Sequence, residues 1–263
     1  MGKDKLEMIC RLIRYDILAS TTQAGSGHPT SSLSSVELMA NFFFGGGDNG
    51  NYFRFDFDNP GKPENDRLIF SKGHAAPLLY SLYHVAGVIT GEDLMTLRQF
   101  GSKFEGHPVP RLKYVDVATG SLGQGLSIGV GMALALKLKA KNSKSVKRDP
   151  KVWVLLGDSE MAEGQVWEAM ETASHYSLNN LIAVVDVNRL GQSTETMGKW
   201  NLEYYLEKAK AFGWDTYALE DGHNINDIDV VYRKIYQGDR GSRKKPVMIV
   251  AKTVKGKGVG ILE

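Results

Sequence analysis

The chain has 263 residues, of which 42% are hydrophobic and 24% are charged, a balance typical of a globular protein with a sizeable core. Its 32 Lys and Arg residues against 30 Asp and Glu residues leave a formal net charge of +2, which argues against nucleic-acid binding and an acidic disordered tail. The lone cysteine, Cys10, excludes an intramolecular disulfide and any site built from several cysteines. The charged start and the lack of a long apolar run predict no signal peptide and no membrane span, so we expect a cytoplasmic protein.

Hydrophobic periodicity predicts mainly helices in the first half of the chain. In chain order, the expected elements are a helix over 6–24 with Cys10 buried on it, a helix over 31–44, a strand over 67–70, a helix over 73–87, a helix from about 90, and a glycine-rich turn at 120–125 that opens a helix to about 141. Residues 45–65 are rich in Gly, Asn, Asp and Pro, which predicts a surface excursion with little regular structure. The lysine-rich segment 139–151 predicts a solvated surface loop.

Strands and helices alternate in the second half. The expected elements are strands over 152–156, 181–186, 215–219 and 247–251, and helices over 165–176, 201–212 and 225–236. These strands are continuous apolar runs, which indicates that both of their faces are buried. The pattern therefore predicts an α/β fold with a doubly wound parallel sheet and helices on both faces, in a single domain over 1–263.

Ligands of such sheets bind beyond the carboxyl ends of the strands, and two predicted strands end in polar residues. Gly157-Asp158-Ser159-Glu160 follows the strand at 152–156, and Asp186-Val187-Asn188 ends the strand at 181–186. One carboxylate and one amide oxygen give Mg²⁺ only two of about six oxygens, so a backbone carbonyl, water and a diphosphate must supply the rest. The pattern favours a metal-bound diphosphate cofactor, although Asp186 or Asn188 could instead cap the following turn.

Five motifs carry a family resemblance. They are Ala24-Gly25-Ser26-Gly27-His28-Pro29, Ser71-Lys72-Gly73-His74-Ala75, Gly106-His107-Pro108, Thr119-Gly120-Ser121-Leu122-Gly123-Gln124-Gly125, and Gly157-Asp158-Ser159 with Glu163-Gly164, Trp167-Glu168-Ala169 and Asp186-Val187-Asn188. The last resembles the thiamine-diphosphate motif, and in this order and spacing the whole chain resembles the amino-terminal, diphosphate-binding domain of transketolase. The stretch 188–193 looks most like the animal-type transketolases.

The resemblance implies a set of ligand-binding residues. Asp158, the Asn188 side chain and the Leu190 backbone carbonyl would bind Mg²⁺, or Ca²⁺ or Mn²⁺ in its place. The residues implied to contact thiamine diphosphate or its surroundings are Lys72, Gly120, Ser121, Leu122, Gly157, Asp158, Ser159, Glu163, Glu168, Asn188 and Lys255. Ser159 departs from the family's glycine; it loses access to positive φ and adds a hydroxyl that either crowds the diphosphate or donates to it. Glu163 and Glu168 would join a carboxylate network across a subunit interface.

Histidines carry the implied catalytic roles. His28, His74 and His107 match positions that in transketolases line the substrate channel, hydrogen-bond sugar hydroxyls and assist proton transfer. Imidazole suits this work because its ordinary pKa of about 6.5 lets it donate or accept near neutral pH. The remaining histidines receive no catalytic role: His84 and His175 lie on predicted helices, and His223 lies in a loop.

Complete transketolases continue into a pyrimidine-binding domain, which supplies the glutamate that activates the cofactor, and a carboxyl-terminal domain. We therefore expect a partner chain that carries these domains, a dimer of heterodimers, and sugar phosphates as substrates, or else a chain that is a fragment. Two alternatives stay open. One is a thiamine enzyme like deoxyxylulose-phosphate synthase, and the other is a non-catalytic cofactor-binding module, suggested by Ser159.

Overall fold

The computed structural model describes residues 2–46, 50–142, 150–237 and 244–263. Within these ranges one parallel sheet is formed by β1 (Arg67–Phe70), β2 (Val152–Gly157), β3 (Leu181–Val187), β4 (Asp215–Leu219) and β5 (Val247–Lys252). The strands lie in the order β1-β2-β3-β5-β4. The register pairs Gly157 with Asp186, and Asp186 with Ala251, so the ends of the three inner strands lie side by side.

Helices cover the sheet on both sides. They are α1 (Lys3–Ala24), α2 (Pro29–Leu33), α3 (Val36–Phe44), α4 (Ala76–Val85), α5 (Gly91–Leu94), α6 (Gln124–Asn142), α7 (Gly164–His175), α8 (Leu202–Ala211) and α9 (Ile225–Gln237). Short 3₁₀ turns at Gly73–Ala75 and Asp158–Ala162 follow β1 and β2. No helix in the described ranges is both long and apolar enough to cross a membrane.

Strand β2 illustrates how the sequence builds two cores. Trp153 and Leu155 pack in one buried cluster with α1, α3, α4 and α9. Val154 and Leu156 pack in another with α6, α7 and α8. Because successive side chains of a strand point to opposite faces, these clusters lie on the two sides of the sheet. The predicted doubly wound α/β fold is confirmed, and Cys10 is buried as expected.

The predicted helix over 31–44 is wrong in one respect, because it is divided. A helix begins at Pro29, a residue suited to the first helical position, and ends at Leu33, and α3 starts again at Val36. The hydroxyls of Ser34 and Ser35 in the break donate to the buried carboxylate of Asp186 at 2.5 and 2.9 Å. Serines that bond outside a helix favour such interruptions, so a tertiary contact overrides the helical pattern.

Residues 45–65 are also more than a surface excursion. Residues 45, 46 and 50–65 contain no helix or strand, as predicted, but Tyr52 and Phe53 are buried. The Phe53 ring lies 5.1 Å from that of Phe42 in α3, so the irregular segment completes the core with aromatic side chains. The loop predicted at 139–151 falls largely outside the described residues; α6 runs to Asn142, and 143–149 are not described.

Candidate functional site

A cavity of about 420 Å³ opens at the carboxyl ends of β2, β3 and β5. The predicted site residues that line it are His28, Lys72, His74, His107, Gly120, Leu122, Gly157, Asp158, Ser159, Asn188, Leu190 and Lys255. Sequence reasoning missed Thr30, Ser31, Glu160, Gly191 and Gln192, which also line it. All five lie within or beside the quoted motifs, so proximity in the sequence was the available signal.

The Asp158 carboxylate is fixed at the start of the turn after β2. It accepts hydrogen bonds from the backbone N–H of Arg189 at 2.8 Å, the Thr196 hydroxyl at 3.1 Å and the Ser159 N–H at 3.0 Å. Burial, and then the nearby charge of Asp186, raise the pKa of Asp158 to about 6. A buried carboxylate with a raised pKa is stabilised by a bound cation, so this group suits a metal ligand.

Asn188 is oriented by Asp186. The Asn188 Nδ2 donates to Asp186 Oδ2 at 3.3 Å, and Asn188 Oδ1 accepts from the Leu190 N–H at 3.2 Å. Asp186 is fully buried and also bonds to Lys72 and Thr253. Burial by itself would raise the pKa of Asp186, but the Lys72 ammonium holds it at about 2, so the group is a carboxylate. Its charge fixes which end of the Asn188 amide is nitrogen.

Lys255 reaches the same cavity from the segment after β5. Its Nζ donates to the carbonyl oxygens of Leu190 and Gly191, each at 3.2 Å. Burial, followed by the charge of Lys72, lowers the pKa of Lys255. An anion in the cavity would offset both effects, because its charge would stabilise the Lys255 ammonium.

Glu160 holds the glycine loop against the strand end. It is completely buried, and its two oxygens accept from the N–H of Gly123 at 2.8 Å, the N–H of Gly157 at 2.9 Å and the hydroxyl of Ser71 at 2.5 Å. Gly123 has φ +86°, a conformation that strongly favours glycine. Glu160 therefore fixes the backbone of 120–123 at the cavity wall.

The three predicted catalytic histidines come together on one side of the cavity. The rings of His28 and His74 meet edge to face with centroids 5.4 Å apart, and His107 packs against Gly120. Burial, and then the charge of Lys72, lower the pKa of His74 to about 3. Burial also lowers the pKa of His28, and the charges of His107 and Arg98 lower it further. For His107, burial and then the charge of Arg98 lower the pKa. The rings are therefore neutral near pH 7, each with one donor and one acceptor nitrogen.

Three predicted cofactor-binding residues do not line the cavity. Ser121 is exposed on the glycine loop, and Glu163 and Glu168 are exposed at the start of α7. By contrast Ser159 lies in the wall between this cavity and a second one of about 300 Å³. Ser159 is not among the positive-φ residues of the described chain, so its backbone does not need the conformational freedom of glycine.

The donor set fits a metal-bound diphosphate. The Lys255 ammonium lies beside one carboxylate of raised pKa, Asp158, and beside amide and carbonyl oxygens at Asn188 and Leu190, whereas the Lys72 ammonium at the same cavity is paired with Asp186. This arrangement offers positive charge to an anion and oxygen ligands to a hard cation within one cavity. It can therefore hold an anion and a cation together.

Comparison with known proteins decides the family. A family model described as the thiamine diphosphate binding domain of transketolase matches residues 5–262. The chain belongs to the transketolase family. Transketolase-like protein 2 of Bos taurus is 45% identical over 258 residues, which are 98% of this chain and 38% of that protein.

Two further relatives of this transketolase-family chain differ in length. One of the subunits of the apulose-4-phosphate transketolase of Phocaeicola vulgatus is 35% identical over 263 residues, which are 100% of this chain and 87% of that protein. The crystal structure of Campylobacter jejuni transketolase matches with a TM-score of 0.88 and 30% identity, over 99% of this chain and 39% of that one. The chain thus spans less than half of the Bos taurus and Campylobacter proteins, and most of the Phocaeicola protein. The predicted thiamine-diphosphate-binding fold is confirmed.

Proposed function

We propose that this chain binds thiamine diphosphate with Mg²⁺ and, assembled with a partner chain, transfers a two-carbon ketol unit from a ketose phosphate to an aldose phosphate. The observation that carries the proposal is the cavity in which buried Asp158 lies beside Asn188 and the Lys255 ammonium. Membership of the family supports the cofactor, and the name of the Phocaeicola relative supports a division into subunits. The cytoplasmic location stays a prediction from the sequence.

Asp158, Asn188 Oδ1 and the Leu190 carbonyl are the proposed ligands of Mg²⁺, or of Ca²⁺ or Mn²⁺ in its place. The Leu190 carbonyl accepts from the Lys255 ammonium at 3.2 Å, so a metal ion bound to this oxygen would displace Lys255 from it. In the part of the chain that the structure describes, no group of three or more His, Cys, Asp or Glu side chains could hold a metal ion. The proposed shell therefore needs oxygens of the diphosphate and water.

The proposed work of this chain in the reaction is binding, orientation and hydrogen bonding. When bound, thiamine diphosphate supplies the nucleophilic carbon and the electron sink. His28, His74 and His107 are proposed to hydrogen-bond the hydroxyls of the sugar, since their lowered pKa values leave an unprotonated nitrogen that can accept a hydroxyl proton. Glu160 keeps the backbone of the glycine loop in place beside them.

The proposed partner carries the pyrimidine-binding and carboxyl-terminal domains and supplies the acid that activates the cofactor. Glu163 and Glu168 are exposed and lie outside the cavity, which supports a role for them toward a neighbouring chain. Trp167 between them is 41% exposed, an apolar surface that a partner would cover. We propose a dimer of heterodimers.

The test is a reconstitution assay that follows consumption of an aldose phosphate in the presence of a ketose phosphate. We expect no turnover by this chain alone, turnover by its mixture with the partner chain, and none when the mixture contains the Asp158→Ala chain. Robust multiple turnover by this chain alone would contradict the proposed division of labour. An inactive mixture with cofactor bound would favour a non-catalytic module instead.

A further inference from the structure

Three side chains outside the cavity connect α1, α3 and the loop before α9. Arg14 Nη2 donates to Glu37 Oε1 at 2.6 Å, and His223 Nδ1 lies 2.9 Å from Glu37 Oε2. The side chains of Arg14, Glu37 and His223 are only 14%, 10% and 11% exposed. We call these three residues the clamp, because of what they hold.

The clamp holds the backbone on both sides of Lys255. The N–H of Val254 donates to His223 Nε2 at 2.9 Å, and Arg14 Nε donates to the carbonyl of Lys257 at 2.9 Å. Residues 253–258 follow the end of β5 and form no helix or strand. Side chains from distant parts of the chain therefore help to position the backbone that presents Lys255 to the cavity, together with the backbone bonds from the Thr253 N–H to the Val187 carbonyl and from the Gly256 N–H to the Thr30 carbonyl.

The contacts of His223 also fix its protonation. Burial alone would raise the pKa of Glu37, but its hydrogen bond with His223 and the charge of Arg14 lower it, so Glu37 is a carboxylate. His223 Nδ1 must then donate to Glu37, while Nε2 must accept from the Val254 N–H. His223 is a neutral ring with its proton on Nδ1, and its unprotonated nitrogen is committed to the backbone.

We propose that His223 is a positioning residue for Lys255. It fixes the backbone of Val254, and the backbone of Val254 in turn positions Lys255. The inference rests on the proposed function, since it concerns how firmly the Lys255 ammonium is presented to a diphosphate. Lysine has a long flexible side chain, and the backbone beside it is held by the Gly256 N–H, which donates to the Thr30 carbonyl at 3.0 Å, together with the clamp. A backbone fixed in advance reduces the entropy lost when Lys255 binds an anion.

Two substitutions of His223 separate its two contacts. Asn places an amide near Nδ1, where it can donate to Glu37, but has no atom near Nε2; Gln reaches the Nε2 position with an acceptor for Val254. We expect His223→Asn to weaken the affinity for thiamine diphosphate with Mg²⁺ roughly three- to tenfold, the range of one net hydrogen bond. His223→Gln should stay within about twofold of wild type. The measurement is calorimetric titration of the complex with the partner chain.

A double-mutant cycle with Lys255→Met tests whether the effect passes through Lys255. We expect His223→Asn to cost less than about twofold in the Lys255→Met background. The same loss in both backgrounds, or no loss from His223→Asn in wild type, would overturn the inference while leaving the proposed function intact. No binding by the wild-type complex would overturn the proposed function and this inference with it.

One measurement does not depend on any variant. The ¹⁵N chemical shifts of the His223 ring in the intact protein should show a protonated Nδ1 and an unprotonated Nε2. A ring protonated on Nε2 cannot accept from Val254 and would overturn the inference.

Discussion

Lys72 and Asp186 form an ion pair beneath the cofactor cavity, with side chains that are only 1% and 0% exposed. The pair is completed by hydroxyl groups, because Ser34, Ser35 and Thr253 also donate to Asp186. Such a fully bonded pair tolerates burial, but the removal of one partner leaves a charge without compensation.

Lys72→Met should therefore lower the free energy of unfolding by about 3 to 5 kcal/mol, measured by urea denaturation. The matched control is Lys62→Met, which breaks an ion pair with Asp56 whose side chains are 48% and 31% exposed. That change should cost less than about 1 kcal/mol. Equal losses in the two variants would show that the buried pair has no special role in stability.

Asp158→Ala and Asn188→Ala should each abolish or severely weaken the joint binding of Mg²⁺ and thiamine diphosphate, because each removes a proposed oxygen ligand that the chain cannot replace. Calorimetric titration of the complex with and without Mg²⁺ measures this, and Asp58→Ala, an exposed carboxylate outside the cavity, is the control. Since the pKa of Asp158 is raised to about 6, a proton competes with the metal below that value, and affinity should rise between about pH 5 and 7. Unchanged affinity in both variants would refute the assigned ligands.

Ser159→Gly should leave cofactor affinity within about threefold, because no positive φ strains Ser159 and its hydroxyl lies near Gly191. The added backbone freedom of the unfolded chain should lower the free energy of unfolding by about 0.5 to 1 kcal/mol. Ser159→Ala, which removes only the hydroxyl, is the matched control for both measurements. Binding that is about tenfold tighter in Ser159→Gly and in Ser159→Ala would show that the hydroxyl crowds the diphosphate.

His74 should make the cofactor-free protein less stable in acid. Its folded-state pKa of about 3 lies below the ordinary value of 6.5, so the unfolded chain binds the proton first and stability falls as the pH drops below about 6.5. Between about pH 8 and pH 5 the wild type should lose about 2 kcal/mol more than His74→Asn. Urea denaturation at the two pH values measures the difference, with His175→Asn, on the surface at the end of α7, as control. A wild type and His74→Asn with parallel pH profiles would contradict the lowered pKa.

The sequence predicted the sheet and the place of the site well. Strands β2 and β3 are apolar runs that are buried on both faces, a pattern that few structures other than an inner strand of a parallel sheet satisfy. The register of these two strands alone brings Gly157 beside Asp186. The motif residues around His28, His74 and His107 follow glycines in turns, and the fold brings these turns together at the cavity. Local pattern and strand direction were sufficient for these features.

Contacts between distant residues could not be predicted in this way. Ser34 is 152 residues from the carboxylate that interrupts its helix, and no periodicity signals that bond. Capping of the following turn by Asp186 or Asn188 was the alternative; Asn188 accepts from the Leu190 N–H in that turn, whereas Asp186 is the buried acceptor that orients Asn188. Glu160 adjoins the Gly-Asp turn in sequence, but its role depends on Gly123 and Ser71, which approach only in the folded chain.

Glu160 has a consequence for how this domain tolerates substitution. Its carboxylate joins the strand end at Gly157, the loop at Gly123 and the hydroxyl of Ser71, three segments that are far apart in sequence. A residue with no side-chain acceptor at this position would leave the N–H groups of Gly157 and Gly123 unpaired at once, and a compensating change at any one segment would restore only one bond. A single substitution of Glu160 therefore disturbs all three segments together, because one side chain joins them.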